Sequence, residues 1–267
     1  MIRGIYTAAS GMRLQLDMVD IYANNLANAQ TNGYKRNEIV AQAFPDLLIQ
    51  MAGSNGQPGH LGQGVRPVDV VQDMHAGIMQ QTGNVMHAAI EGDGFFVTRQ
   101  DTPAAPGRPA TSQYQQTRNG EFSINSQQQL VTSDGKAFMD INNQPIKLSP
   151  QTVDNLDQNM IIRQDGSVVE RLGGVDRVAG KLKIAMVRHV EGMNPNMAGK
   201  DSSMEMTKDL DKAPKVFQRY LEESNISVVS EMVSLMTSSK AYDTSQKAIQ
   251  SQDKMLDKVI NEVGRPG

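Results

Sequence analysis

Residues 2–26, running from Ile2-Arg3-Gly4-Ile5-Tyr6 to Ala23-Asn24-Asn25-Leu26, carry apolar or small side chains at Ile2, Ile5, Ala9, Met12, Leu16, Val19, Ala23 and Leu26. The spacing alternates between three and four, the a/d seam of a heptad, and predicts one long helix. Leu14, Met18 and Ile21 sit beside that seam and widen it past a two-stranded stripe, so contacts with more than one neighbour are expected. The small run Thr7-Ala8-Ala9-Ser10-Gly11 lets another helix come close. Past Leu26 an Asn-rich stretch ends in Thr31-Asn32-Gly33, a helix-stop and turn signal.

The far end of the chain repeats the pattern. Val228, Met232, Leu235, Ser239, Tyr242, Gln246, Ile249, Asp253, Leu256, Ile260 and Val263 keep the same spacing and predict a second long helix. Ser239, Gln246 and Asp253 interrupt its seam, which weakens an isolated coiled coil but can fix register in an assembly. Ser224, before Asn225-Ile226, supplies a start, and Gly264, Pro266 and Gly267 a stop.

Between the helices the texture changes to short alternating runs bounded by Gly, Asn and Asp, as in antiparallel β structure. Ala89-Ile90, Gly92-Asp93-Gly94 and Phe95-Phe96-Val97 read as strand, tight turn, strand. Lys181 to Arg188 alternates charged or small with apolar residues, predicting one strand with a buried and a wet face. Asn119-Gly120, Asp134-Gly135 and Asp165-Gly166 read as hairpin turns. Gly53–Gly64, Asp101–Ser112 and Asn194–Pro214 lack periodicity and read as connectors or surface loops.

The expected fold class is therefore α+β, with long N- and C-terminal helices pairing as a coiled-coil-like unit and a central, mainly antiparallel β domain. Its segments are an N-terminal assembly helix over 1–36, a connector and extended segment over 37–80, the β domain over 81–220 and a C-terminal assembly helix over 221–267. Two wide apolar faces at opposite chain ends can bury on each other, on the β domain or on other copies, and the last option makes a polymer. Without any partner, such helices are marginal in water.

Composition removes several function classes. Lys and Arg number 26 against 29 Asp and Glu, a net charge of −3, which supplies no basic footprint for nucleic acid or anionic membrane. No cysteine is present, which removes disulfides, thiolate metal sites and thiol catalysis. The first residues hold no apolar core of a signal peptide, so no cleavable secretory signal is expected, and no apolar run is long enough to span a bilayer. Aromatic residues are 4% of the chain and Trp is absent, while Met reaches 17, so aliphatic and thioether side chains must make its cores and contacts.

Candidate chemistry is thin. His60, His75, His87 and His189 show no metal-ligand spacing, and neither a metal nor any cofactor is expected. Ser251 to Lys254 matches a Ser-x-x-Lys nucleophile only in letters and lies on a predicted amphipathic helix. The pairs Asp154/Asp157 and Glu222/Glu223 could serve as acid and base toward a glycan but read as surface charges. Gly62-x-Gly64 and Gly92-x-Gly94 lack the third glycine and following helix that phosphate binding needs, and read as turns. No catalytic residue is assigned.

Several blocks resemble a known family. Asn24-Asn25-Leu26-Ala27-Asn28 with Thr31-Asn32-Gly33-Tyr34-Lys35-Arg36 is similar to the N-terminal signature of flagellar rod and hook proteins. Ala89 to Phe96, containing Gly92, Gly94, Phe95 and Phe96, resembles the Gly-x-Gly-Phe-Phe block of their β domain, and Thr117 to Phe122 the Thr-Arg-x-Gly-x-Phe block after it. Ser224 to Val233, with Ala241-Tyr242 and Asp253-Lys254-Met255-Leu256, resembles their C-terminal helix. Leu61 to Pro67 resembles the segment before the β domain in distal rod proteins, and hook proteins usually carry a larger middle. Glu38–Gly53 and the residues after Val263 match no block.

The resemblance implies a non-enzymatic structural subunit of the basal-body rod, outside the cytoplasm and exported through the flagellar type III apparatus without a cleaved signal. It implies a hollow helical tube that transmits torque and conducts exported subunits, with terminal helices lining it and β domains outside. Implied partners are copies of the chain itself, neighbouring rod and hook proteins and the export apparatus, with no nucleic acid and no membrane insertion. The expected assembly residues are Ile2, Ile5, Met12, Leu16, Val19, Asn24, Asn25, Leu26 and Asn28, with Val228, Met232, Leu235, Tyr242, Ile249, Leu256 and Ile260. The family's turn and core motif falls on Asn32, Gly33, Tyr34, Gly92, Gly94, Phe95 and Phe96. Competing readings are a hook or proximal rod subunit, a cell-wall glycan-binding protein or enzyme, and a tube protein of an unrelated injection machine.

Overall fold

The heptad-spaced ends of the chain form helices over Ile2–Ala27 and Val228–Val263. The structure, a computed structural model, describes residues 2–43, 47–49, 59–61, 64–102, 111–187, 197–198, 204–205 and 214–263. The second helix begins about one turn later than Ser224 suggests: the Ser227 carbonyl accepts the Glu231 amide at 2.9 Å and opens the helical ladder. Of the expected connectors over 53–64, 101–112 and 194–214, residues 53–58, 62–63, 103–110, 194–196, 199–203 and 206–213 lie outside the described residues, while 59–61, 101–102 and 111–112 are in strands.

The chain divides into two compact units, one of residues 1–27, 36–73 and 226–267, the other of 28–35 and 74–225. In the helical unit, parts of the segment expected as connector and extended chain form an antiparallel ribbon. Strand Asn37–Ala43 pairs with Val65–Asp73, from Asn37 opposite Gln72 to Ala43 opposite Val65, with a register shift between Val40 and Ala41. Ile39, Val40, Val65, Val68, Val70 and Val71 supply the β-branched content that favours a pleated strand. The N-terminal helix packs on both strands and on the C-terminal helix, and Val71 is buried.

The β unit is mainly antiparallel. Strand Phe95–Thr102 pairs along its length with Thr111–Thr117, Ala137–Phe138 and Ile184–Val187. A meander of Met160–Ile162, Ser167–Leu172 and Val175–Lys181 forms a separate sheet. Ala88–Glu91 pairs with Lys215–Gln218, and Met79–Gln81 with Tyr220–Glu222. Two short helices not anticipated from the sequence, Pro150–Asp154 and Leu156–Asn159, pack Val153 and Leu156 onto the core.

That core is built around three phenylalanines. Phe96, Phe122 and Phe138 meet edge to face, with centroid separations of 5.7, 5.9 and 4.5 Å. Each buried ring contributes about 1.5–3 kcal/mol of transfer free energy plus a smaller geometric term.

Turn chemistry follows the sequence at two of the three expected hairpins. Gly135 and Gly166 have φ of +79° and +81°, and their turns join Val131 to Ala137 and Ile162 to Val168. Gly120 works differently: a Cβ there would lie 1.5 Å from the Ala88 carbonyl oxygen, so it is a point of backbone approach and not a hairpin turn. The single strand expected over Lys181 to Arg188 is also divided. Val175–Lys181 ends at Lys181 and Ile184–Val187 begins a different sheet, with buried Leu182 between them.

Candidate assembly surface

The two long helices lie side by side and run antiparallel. A Cβ on Gly4 would stand 2.7 Å from Gln252 Nε2, and Asn25 Nδ2 reaches Glu231 Oε2 at 3.4 Å near the other end. Equal intervals separate these positions on both helices, which fixes the register. On the C-terminal helix the buried or half-buried positions among the described residues are Glu231, Ser234, Leu235, Ser238, Ala241, Tyr242, Ser245, Ile249, Gln252 and Leu256. The serines and Ala241 among them allow close axes, while Leu235, Tyr242, Ile249 and Leu256 bury part of their apolar area.

Much of the apolar content is left outside. Tyr6, Leu16, Val229, Met232, Val233, Met236, Met255, Val259 and Ile260 are all exposed, Leu16 by 46% and Ile260 by 67%. Of the expected assembly residues, Leu16, Asn24, Val228, Met232 and Ile260 are exposed. Ile5, Met12, Val19, Leu26, Asn28, Leu235, Tyr242, Ile249 and Leu256 are half-buried. Ile2 lies in the helix, but its side chain is outside the description. Leu14, placed beside the seam by its spacing, is the most covered apolar side chain among the described ones of the N-terminal helix at 7%.

Asn25 is fully buried, and the reason is a network that the sequence did not reveal. Its Nδ2 donates to the Asn37 carbonyl at 2.9 Å while its Oδ1 accepts the Asn37 amide at 3.0 Å. Arg36 Nε then pairs with Glu231 Oε1 at 2.6 Å. One asparagine and one ion pair thereby tie the end of the first helix, the start of the ribbon and the start of the last helix together within this unit.

A second buried carboxylate organises the β unit. Glu222, read from the sequence as a surface charge, is 2% exposed. Lys35 Nζ bonds its Oε1 at 2.7 Å, Arg118 Nη1 its Oε2 at 2.9 Å, and the Gly77 amide also donates to Oε1 at 2.9 Å. Lys35 further donates to the His75 carbonyl at 2.6 Å, and Arg118 to the carbonyls of Ile90 and Gly92 at 3.1 and 2.6 Å. Nothing local to Leu221-Glu222-Glu223 separates a buried carboxylate from a solvated one, because its partners come from three distant segments.

The turn and core motif converges on this network. Gly33, at φ +70°, donates its amide to the Glu222 carbonyl at 2.7 Å, and a Cβ on it would stand 2.4 Å from the Arg118 carbonyl carbon. Asn32 and Tyr34 beside it are half-buried. Gly92 and Gly94 have φ of +98° and +145°, and Phe95 lies under Arg118 with 5.3 Å from Cζ to the ring centroid. Phe96 enters the aromatic core. Gly33, Gly92 and Phe95 of a motif that reads as a string of turns thus meet at Arg118.

Other polar features serve local structure. The Ser167 hydroxyl, by hydrogen bonding, holds the Asp165 carboxyl below the usual carboxylate range and fixes the Asp165-Gly166 turn. The Arg171 side chain does the same for exposed Asp176 across the neighbouring strand pair. Asp154 and Asp157 are exposed, as expected. Among the described residues, no group of three or more His, Cys, Asp and Glu is placed to hold a metal ion, and no helix is long and apolar enough to cross a membrane.

What these features define is a structural subunit: the polar chemistry holds distant segments of the chain together, and the helices present apolar side chains outward. Comparison with known proteins agrees. The family described as flagella basal body rod protein matches residues 5–35, the flagellar hook protein FlgE/F/G D1 domain matches 89–170, and the flagellar basal body rod FlgEFG protein C-terminal family matches 218–262. The chain is 30% identical to the flagellar basal-body rod protein FlgG of Buchnera aphidicola subsp. Schizaphis graminum, over 97% of this chain and 99% of that protein. It is also 30% identical to the FlgG of Agrobacterium fabrum over 95% and 97%, and 29% identical to that of Borreliella burgdorferi over 96% and 97%. The chain belongs to the flagellar basal-body rod protein family and is a structural component of that rod.

Proposed function

We propose that this chain polymerises through its terminal helices into a hollow helical tube, as a distal rod subunit that transmits torque and conducts exported subunits. The observation that carries this is the set of large apolar side chains that the helix pair leaves exposed. The partly covered side of the C-terminal helix mixes Leu235, Tyr242, Ile249 and Leu256 with Ser234, Ser238, Ala241 and Ser245, whereas Leu16, Val228, Met232 and Ile260 remain exposed. Exposed apolar side chains of this number favour a further partner. In the assembled rod the helices of neighbouring copies cover it, and the terminal helices pair as a coiled-coil-like unit with Ile5, Met12, Val19, Leu26, Leu235, Tyr242, Ile249 and Leu256 in the seam.

Neighbouring rod and hook proteins then cap the ends of this tube, and the chain reaches its place through the flagellar export apparatus without a cleaved signal. No catalytic step is assigned to it. Electron microscopy of basal bodies from a strain lacking the chain tests the proposal. A missing or truncated rod with no hook beyond it is the expected result, and intact rods and hooks would overturn it.

A further inference from the structure

The register of the helix pair leaves an overhang. With Gly4 against Gln252, roughly the last two turns of the C-terminal helix extend past the start of the N-terminal helix. The side that faces the N-terminal helix continues there as Leu256, Val259 and Ile260, of which Val259 is 45% and Ile260 67% exposed. Asp253 and Asp257, also exposed, flank that strip one turn apart. Lys254 and Lys258 follow them by one residue and so lie about 100° further round the helix.

The same unit carries a groove of matching character. It lies between the N-terminal helix and the strand that begins at Val65, with a volume of about 480 Å³. Tyr6, Ala9, Val65 and Pro67 make its apolar lining, and Arg13 and Arg66 stand exposed at it. Its walls are held by Ser10, whose Oγ accepts the Val65 amide at 3.4 Å and donates to the Thr7 carbonyl at 2.8 Å. A Cβ on Gly64 would come within 2.2 Å of that oxygen, so the close contact of helix and strand depends on a glycine.

We propose that the overhang of one copy docks in this groove of a second copy, with Leu256, Val259 and Ile260 against the apolar lining and Asp253 and Asp257 against Arg13 and Arg66. This rests on the reading of the chain as a polymerising subunit. Within one chain the contact is out of reach: on the observed register Ala9 and Ile260 are roughly 20 Å apart along the helix axis. Two complementary charge pairs flanking an apolar contact give it both orientation and exclusion of wrong pairings. Because groove and overhang are different surfaces, the contact is head-to-tail, and repeating it builds an open helix when the rotation between copies does not close a ring, where a self-complementary patch would close a dimer.

The absence of native cysteine makes the test direct. A chain carrying Ala9→Cys and Ile260→Cys is expressed in place of the wild type, basal-body particles are isolated, and a mild oxidant is added. The expected result is a ladder of dimers, trimers and higher species on a non-reducing gel, absent from particles of either single-cysteine chain. The double-cysteine chain present in particles but monomeric after oxidation overturns the proposal, as does a product that stops at dimers. Should that chain not enter particles, charge exchange decides. Arg13→Glu with Arg66→Glu, and Asp253→Arg with Asp257→Arg, should each cut incorporation by about tenfold or more, and the four changes together should restore most of it. Reversals without effect, or no restoration, overturn the docking geometry. Failure of the polymer reading looks different: the wild-type chain is then itself absent from the particles.

Discussion

Lys35 Nζ lies 2.7 Å from Glu222 Oε1, with the two side chains 4% and 1% exposed. Neither charge retains contact with water, so each depends on the other and on the neighbouring dipoles that complete its hydrogen bonds. Taking two charges out of water is costly, and a pair in this position contributes little net stability against an apolar alternative. Its effect is selective. Breaking it leaves Lys35 and Arg118 uncompensated, which penalises arrangements in which residues 28–35 and 218–222 part company.

Glu222→Gln should therefore destabilise the β unit by about 3–5 kcal/mol, the cost of stranding buried charge. Urea unfolding followed by circular dichroism measures it. A change below about 1 kcal/mol would mean the site relaxes to admit water.

Glu231→Gln should act in the helical unit instead. Arg36 keeps 28% of its side chain in solvent, so losing its partner strands less charge and costs about 1–3 kcal/mol. Amide exchange should quicken around Asn25, Asn37 and the first turns of the last helix, with the β unit unchanged. Quickening spread evenly over the whole chain would contradict this division.

Leu16→Asp separates folding from assembly. Leu16 is 46% exposed in the single chain, so the substitution should move monomer stability by no more than about 0.5 kcal/mol. In the rod the same carboxylate loses its water at a cost of several kcal/mol, on the order of the penalty for an unpaired buried charge. Motility and incorporation should be lost while the purified monomer melts normally, and normal incorporation would remove Leu16 from the interface.

Gly33→Ala should cost about 1 kcal/mol from the left-handed backbone alone, and more from the collision with the Arg118 backbone 2.4 Å away. Thermal melting of the purified chain reads the sum. A stabilising effect, as a Gly-to-Ala change gives where the backbone is unstrained, would show that the turn can be rebuilt.

The periodic ends of the chain fixed the existence of both long helices, since a three-four spacing sustained over many turns is incompatible with strands. Alternation and Asp-Gly turns did the same for much of the β unit, and those signals are local. Other features failed at one position each. Gly120 looks like Asn119-Gly120 hairpin chemistry, yet its role is set by the Ala88 carbonyl, more than thirty residues away in the chain. The extended segment over 37–80 is legible in the sequence, but the pairing of Asn37–Ala43 with Val65–Asp73 was hidden because the two strands are separated by a long insertion, and β propensity does not name a partner.

What the sequence by itself determined is thus the inventory: two amphipathic helices, a lean apolar content, turns at Gly135 and Gly166, and blocks that mark the rod family. Tertiary structure alone decided which side of each helix is covered, because a face widened by Leu14, Met18 and Ile21 offers several seams of similar apolar content. It also decided that Glu222 and Glu231 are buried. The physical reason is common to both. Burial of a charge is settled by partners such as Lys35, Arg118 and Arg36 arriving from distant segments, and no window of sequence contains that arrival.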